Sequence, residues 1–287
     1  MTLRRRGLDW LLNGYAALGL IYLLVPIAVI IVFSFNQPRG RFNFIWREFS
    51  LNAWKDPFGV PGIGDALVKS LEIAAISTVV ATILGTVTAL ALVRYEFRGR
   101  APTNFFIFIP LATPEVVLGA ALLSLFLNLG TPQLGFATIL IAHIMFILSF
   151  VVITVRSRLI GFDRSLEEAA QDLGATPWET FRLVTLPLIM PGVVSAALLG
   201  FALSIDDFVI TYFNNGSTIT FPLFIWGAAR VAVPPQIYVI ATMIFLFTVA
   251  MMILTVWQQR RAEKMAAVRP DEPGGPFAEP VPSRALA

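Results

Sequence analysis

The sequence has no cysteine, a single histidine and few charged residues, which make up 14% of the chain. Without cysteine it forms neither a disulfide bond nor a thiolate metal site. One histidine, His143, cannot build a cluster of histidine ligands, so no metal site is expected. Charged residues make up about 25% of an average soluble domain. The low charge therefore excludes an ordinary soluble protein.

A nucleotide-binding P-loop is also missing, because no glycine is followed directly by lysine. The chain therefore cannot hydrolyse ATP by that route, and we expect neither enzymatic activity nor a cofactor on it. The net charge of +3 arises from basic clusters at the ends of apolar runs rather than from one basic face. That distribution argues against a nucleic-acid partner.

Long apolar runs dominate what is present: 57% of the residues are hydrophobic and the mean hydropathy is +0.77. The pattern predicts an all-α integral membrane protein, with the lipid bilayer as its surroundings. Six runs are close to the roughly 20 residues that cross a bilayer. The first exceeds the apolar core of a signal peptide, so it is predicted to be a span and not a cleaved leader. The predicted spans cover about 15–35, 66–93, 103–127, 133–155, 188–212 and 236–257.

Most of the 21 lysines and arginines fall on one side of this topology if both termini are cytoplasmic. That orientation is favoured by the positive-inside rule. The permease domain is predicted to cover 1–265. The remainder, 266–287, is rich in proline and glycine with few large apolar residues, and we expect it to be a disordered cytoplasmic tail.

Two spans carry local signals of their own. In the second, the small residues Ser77, Ala81, Gly85 and Ala89 recur every four positions, which predicts a face that lets another helix approach closely. The third is interrupted by two prolines, at positions 110 and 114. The carbonyls that these prolines release need partners in protein or in a wet cavity.

The one long polar interruption in the second half of the chain lies between the fourth and fifth spans, within 157–187. Residues 166–173 are strong helix formers, and Gly174 is suited to a left-handed helix end. Thr176, Pro177 and Glu179 then match an N-cap, a first helical position and a capping box. The pattern predicts two short helices that meet at a corner.

This string, with Glu168-Ala169-Ala170, then Gly174, then Leu186-Pro187, resembles the EAA loop of bacterial ABC importer permeases. The resemblance implies the type I importer fold, with a cytoplasmic coupling helix docked in a groove of a separate ATPase subunit. Helix-in-groove recognition suits two small alanines and a carboxylate. The residues implied in ATPase coupling are Glu168, Ala169, Ala170 and Gly174.

Acidic residues within the spans form a second candidate site. A carboxylate near the bilayer centre costs about 2.5 to 3.5 kcal/mol on insertion scales, so each one suggests function. Glu115, Asp206 and Asp207 qualify. Ser204 and Asp207 share the helical spacing of a small, polar face with Gly200 and Thr211. A bound organic cation would neutralise these carboxylates, with the aromatic faces of Tyr212 or Trp226 adding attraction; the alternative is hydrogen bonding between helices or an ion pair with Arg230.

Pro114-Glu115-Val116-Val117 and Ser204-Ile205-Asp206-Asp207-Phe208 resemble the spermidine/putrescine class of these permeases, specifically its second membrane subunit. The resemblance runs from the first span to about Trp257. It implies a homologous permease partner, a dimer of ATP-binding subunits that carries ATP and magnesium, and an external solute-binding protein at the bacterial inner membrane. This chain would then form half of a polyamine pathway.

Other readings of the sequence remain open. An ABC permease for iron, thiamine, sulfate or a sugar would share the coupling loop, although anions fit poorly with three acids. An ion-coupled secondary transporter would explain the acids but would leave the EAA-like loop unexplained. For His143, a hydrogen bond to a neighbouring helix is favoured over a proton relay.

Overall fold

A computed structural model describes residues 2–130, 133–161 and 163–267 of the chain. In this part of the chain strand pairing is limited to two isolated bridges, Asn36–Phe49 and Phe42–Val233, which agrees with the all-α prediction. The elements in order are α1 (Thr2–Phe33), α2 (Asn52–Lys55), α3 (Ile63–Arg94), α4 (Arg100–Ala112), α5 (Glu115–Asn128), α6 (Phe136–Ile160), α7 (Ser165–Asp172), α8 (Pro177–Thr180), a π-helix (Phe181–Thr185), α9 (Leu186–Asp206), α10 (Val209–Asn214), α11 (Phe221–Val231) and α12 (Pro235–Ala267).

Four helical segments are long and apolar enough to cross a membrane: Trp10–Phe33, Ile63–Arg94, Phe136–Ile160 and Pro177–Asp206. The pair α4 and α5 makes a fifth if it is counted as one bent span. The predicted sixth span falls on α12, of which Pro235–Ala250 is apolar but shorter. The membrane-protein prediction is confirmed, whereas the count of six spans stays a prediction. The predicted tail beyond Ala267 lies outside the described residues.

The third predicted span, 103–127, is interrupted as its prolines indicated, since α4 and α5 meet at an angle of 115°. The break lies at Pro114 and not at Pro110, which is inside α4. Proline disfavours the helical conformation of the residue before it. Thr113 is accordingly extended, with ψ of 131°. Glu115 thus begins a new helix and does not lie in the middle of a straight one.

The fifth predicted span, 188–212, also differs from the structure at both ends. Helical backbone runs without a gap from Pro177 through α8, the π-helix and α9. The second helix of the predicted corner therefore leads directly into this span. At its other end α9 stops at Asp206, Asp207 is extended with ψ of 120°, and α10 begins at Val209. Asp207 and Thr211 consequently do not share a continuous helical face with Ser204.

The chain divides into two compact units, which are described separately. In the first, comprising Met1–Gln37, Trp46–Lys55 and Pro235–Ala287, α1 packs against α12. Phe35 stacks between Phe49 and Trp54, with ring centroids 5.7 and 5.2 Å away. The Trp54 indole nitrogen donates to the Ser34 hydroxyl at 3.3 Å.

The second unit, Pro38–Ile45 and Asp56–Pro234, is built on α3, α6 and α9, which pack against one another. The predicted small-residue face of α3 is buried, as expected for helix packing. A Cβ atom at Gly85 would lie 2.6 Å from Val151 Cγ1 on α6, and one at Gly200 on α9 would lie 2.6 Å from Ile147 Cγ2. Glycine at these two positions therefore lets α3 and α9 approach α6 closely.

Candidate functional site

The corner between α7 and α8 is formed by local hydrogen bonds that match the sequence pattern. Gly174 is left-handed, with φ of +90°. Its N–H donates to the Gln171 carbonyl at 2.9 Å, and the Ala175 N–H donates to the Ala170 carbonyl at 3.0 Å. This pair of bonds is the Schellman motif that ends a helix. The predicted helix end at Gly174 is confirmed.

The start of α8 has the predicted capping box. The Thr176 hydroxyl accepts from the Glu179 N–H at 3.3 Å, and the Glu179 carboxylate accepts from the Thr176 N–H at 2.8 Å. Pro177 occupies the first turn, where its missing N–H costs nothing. Because both helix ends are satisfied within a few residues, the corner holds its shape by itself.

The residues predicted to couple to an ATPase lie on the outer surface of the corner. Glu168 and Ala169 are exposed, and Ala170 is half-buried. Two large apolar side chains accompany them: Leu173 is 90% exposed and Trp178 is 67% exposed. Exposed apolar side chains next to a carboxylate and small residues are typical of a docking surface for another protein.

Glu167, the neighbour of Glu168, turns the other way, and the sequence analysis did not single it out. It is buried, and both of its carboxylate oxygens accept from the Arg94 guanidinium, one of them from Nη2 at 2.5 Å. The Thr185 hydroxyl also donates to it. Glu167 therefore ties α7 to the ends of α3 and of the π-helix.

Burial of Glu167 by itself favours the neutral acid. The hydrogen bonds from Arg94 and Thr185 and the positive charges of Arg94 and Arg164 outweigh it, so the pKa of Glu167 lies below the ordinary 4.5. The carboxylate is therefore ionised at neutral pH. A cavity of about 390 Å³ adjoins the ion pair and is lined by Leu90, Arg94, Arg164, Glu167, Gln171 and Phe181 among others.

The three predicted acids of the second candidate site lie in different surroundings. Glu115 is exposed on the first turn of α5, directly after the bend. Asp206 is exposed at the last residue of α9. The Asp207 side chain is only 4% exposed. Glu115 lies on α5, which packs against α10, and α10 follows the break at the two aspartates.

Asp207 is held by His143 and not by Arg230. Its Oδ2 lies 3.2 Å from His143 Nε2. Ser204, on the predicted polar face, lies on the other side of the same ring, with its hydroxyl 2.7 Å from Nδ1. The expected hydrogen bonding of His143 to a neighbouring helix is observed, and Asp207 takes part in it.

Two predicted aromatic residues are brought together around Phe208. The Phe208 ring centroid is 5.5 Å from that of Tyr212 and 5.1 Å from that of Trp226. Tyr212 is 51% exposed and Trp226 is 45% exposed. The Arg230 guanidinium lies 4.8 Å from the Trp226 ring centroid, a cation–π contact within the chain.

Comparison with known proteins defines the class. The family model for binding-protein-dependent transport system inner membrane components matches residues 58–264, and the chain belongs to this family. It is therefore an all-α inner membrane subunit of an importer that depends on a binding protein. It is a transport subunit.

Individual relatives are similar over most of the chain. It is 37% identical over 247 residues to the spermidine/putrescine transport system permease protein PotC of Haemophilus influenzae, covering 86% of this chain and 95% of that protein. It is 39% identical over 255 residues to the putrescine transport system permease protein PotI of Escherichia coli, covering 86% and 90%.

Among solved structures, a bacterial ABC transporter involved in the import of the acidic polysaccharide alginate matches with a TM-score of 0.64. The match covers 90% of this chain and 98% of that chain at 17% identity. At this identity the likeness shows the ABC importer fold alone. One fold hosts many substrates, so the substrate has to be argued from the site and from the more similar sequences.

Proposed function

We propose that this chain forms half of the translocation pathway for polyamines in an ATP-driven importer. The observation that carries the proposal is its identity of 37% and 39% to permeases named for spermidine and putrescine transport, maintained over 86% of the chain. Those names describe the relatives. For this chain they agree with what the residues at the α9–α10 break can bind.

The chemistry of that break supports a cationic substrate. Asp206 is exposed and lies within two residues of Phe208, whose ring contacts Tyr212 and Trp226. A carboxylate and aromatic faces both replace part of the hydration that an ammonium group loses, the latter by about 0.5 to 2 kcal/mol. Glu115, exposed on α5, supplies a second carboxylate on a helix that packs against α10.

The proposal includes the partners. A homologous permease subunit completes the pathway, an external binding protein delivers the solute, and a dimer of ATP-binding subunits binds the corner of α7 and α8. Exposed Leu173, Trp178 and Glu168 suit insertion of this corner into a groove. Six spans with both termini in the cytoplasm put the corner on the side where ATP is available.

The test is to purify the complex through a tag on this chain, identify its subunits and reconstitute it in liposomes with the binding protein. Putrescine and spermidine should stimulate ATP hydrolysis and accumulate inside. A sugar, thiamine, sulfate and ferric iron serve as comparison solutes. Stimulation by one of these, with none by either polyamine, would overturn the substrate proposal; the absence of a co-purifying ATPase would overturn the coupling proposal.

A further inference from the structure

The ring of His143 is the centre of a buried polar network in the second unit. His143 is 2% exposed and lies within α6. Its Nδ1 contacts the Ser204 hydroxyl of α9 at 2.7 Å, and its Nε2 contacts the Thr211 hydroxyl of α10 at 2.9 Å. The Ser204 hydroxyl is in turn 3.1 Å from the Ser77 hydroxyl of α3. His143 therefore joins α6 to α9 and α10, and Ser204 extends the network to α3.

The position of one proton follows from the partners. The Thr211 hydroxyl donates to Asp207 Oδ2 at 2.8 Å, so its oxygen is left to accept from the ring. An Nε2–H group satisfies that oxygen and also faces the Asp207 carboxylate. On the other side of the ring either Nδ1 or the Ser204 hydroxyl can be the donor.

Asp207 accepts from several groups of the chain. Its Oδ1 accepts from the Ile210 N–H at 3.3 Å, and its Oδ2 accepts from the Thr211 N–H at 2.8 Å as well as from the Thr211 hydroxyl. The His143 ring is a third group at Oδ2. A substrate ammonium group at Oδ2 would have to displace one of them.

Asp206 lies one residue earlier and is exposed at the end of α9, whereas the Asp207 side chain is buried. Its orientation depends on where α9 stops. No proline or glycine lies between Leu203 and Phe208 to end that helix. The contacts that compete with helix continuation are the N–H groups of Ile210 and Thr211 bonded to Asp207, and the ring of His143 behind it.

We propose that His143 is a positioning residue for translocation: by holding Asp207 it fixes the break between α9 and α10, so that Asp206 is the carboxylate presented to the substrate. The inference rests on the proposed transport function. It differs from the sequence pattern, which placed Asp207 with Ser204 on the small, polar face and did not include Asp206 in that face.

The matched variants are His143→Asn and His143→Gln. The asparagine amide keeps the reach of Nδ1 to Ser204 and loses the reach of Nε2 to Asp207, whereas the glutamine amide reaches Asp207. In the reconstituted complex, His143→Asn should raise the KM for putrescine about tenfold, because a buried acceptor loses a donor. Glutamine should restore most of the loss. Complex yield and basal ATP hydrolysis should remain unchanged in both variants.

Double variants separate positioning from packing. Combining His143→Asn with Asp207→Asn should change the KM little beyond the larger single effect, since both act on one contact. Combining it with Asp206→Asn should also raise the KM by less than the product of the two single effects, because His143 acts through the position of Asp206. Equal KM values for the asparagine and glutamine variants, or multiplied effects with Asp207→Asn, would overturn the proposal and leave His143 a packing residue.

A readout without substrate keeps this test distinct from that of the transport function. Since the chain has no cysteine, a Tyr212→Cys variant carries a single thiol on the exposed side of α10. Its rate of labelling by a water-soluble maleimide should change at least about threefold on adding His143→Asn, because local opening controls access. An unchanged rate would overturn the positioning role. If the unmodified complex moved no polyamine while the labelling rate shifted, the transport proposal alone would fail.

Discussion

Neutralising Glu167 should loosen the corner between α7 and α8 while leaving the exposed surface of that corner intact. Glutamine has nearly the same shape as glutamate but carries no charge. Only its oxygen can accept from the Arg94 guanidinium, whereas both carboxylate oxygens of Glu167 do so. The Glu167→Gln variant therefore leaves Arg94 beside an uncharged partner. Because Glu167 joins α7 to the last residue of α3 and to Thr185 of the π-helix, the contact between these three elements should weaken together.

The size of the effect follows from the burial of the pair. The Arg94 and Glu167 side chains are 16% and 11% exposed. Breaking a fully buried pair costs about 3 to 5 kcal/mol, and an exposed pair contributes at most about 1 kcal/mol. The adjoining cavity of about 390 Å³ admits water to one side. We therefore expect an intermediate loss of about 2 kcal/mol, equivalent to about 30-fold in a local opening equilibrium.

Hydrogen exchange of the intact complex, read by mass spectrometry over α7, measures this opening. Glu167→Gln should raise the exchange rate about 30-fold there, and Glu168→Gln, the exposed neighbour on the same helix, should not. Exchanging the charges, with Arg94→Glu and Glu167→Arg together, should restore part of the protection. An exchange rate within about twofold of the unmodified complex would refute the view that this ion pair holds the corner.

The pH dependence has a defined sign. The pKa of Glu167 in the folded chain lies below 4.5, so its contribution to stability is fully present above that ordinary value. It is lost as pH falls through the lower folded pKa. The difference in protection between the unmodified chain and Glu167→Gln should therefore be constant from pH 7 to about 5 and shrink only in stronger acid.

Other variants test the exposed surface and the pathway. Gly174→Leu should uncouple ATP hydrolysis from uptake without loss from the membrane, because a side chain at φ of +90° costs about 1 to 2 kcal/mol; normal uptake per ATP would contradict this. Glu168→Lys should weaken capture of the ATPase subunit in a pull-down, which unchanged capture would refute. Glu115→Gln and Asp206→Asn should each lower putrescine uptake while solute binding by the binding protein stays the same, and unmutated rates in both would show these carboxylates to be structural.

The corner between α7 and α8 could be predicted from the sequence because the hydrogen bonds that form it are local. The capping box spans four residues, from Thr176 to Glu179, and the Schellman bonds reach no further than from Ala170 to Ala175. Gly174 is left-handed where the pattern placed the helix end. Signals of this kind need no knowledge of the rest of the fold.

The partners of the buried acids could not be predicted in this way. Arg94 is 73 residues from Glu167, and Thr211 is 68 residues from His143. Nothing in the local sequence pairs them. The break after Asp206 combines both kinds of contact, since Asp207 accepts from the nearby N–H groups of Ile210 and Thr211 and also contacts the distant His143 of α6. At Pro114 the sequence did indicate a break, but the angle of 115° depends on how α4 and α5 pack.

In each of two pairs of adjacent acids, Glu167-Glu168 and Asp206-Asp207, one carboxylate is buried and the other is exposed. Neighbouring residues on a helix point about 100° apart, so a pair at an element boundary directs one carboxylate inward and the other outward. The inward member needs a partner because an unpaired buried charge is costly: Glu167 has Arg94, and Asp207 has His143 with the N–H groups of α10. Once that partner holds the backbone, the outward member, Glu168 or Asp206, is presented in a defined direction. We therefore expect the member of each pair that meets a ligand or partner to be the one without a buried contact, with its neighbour setting its position.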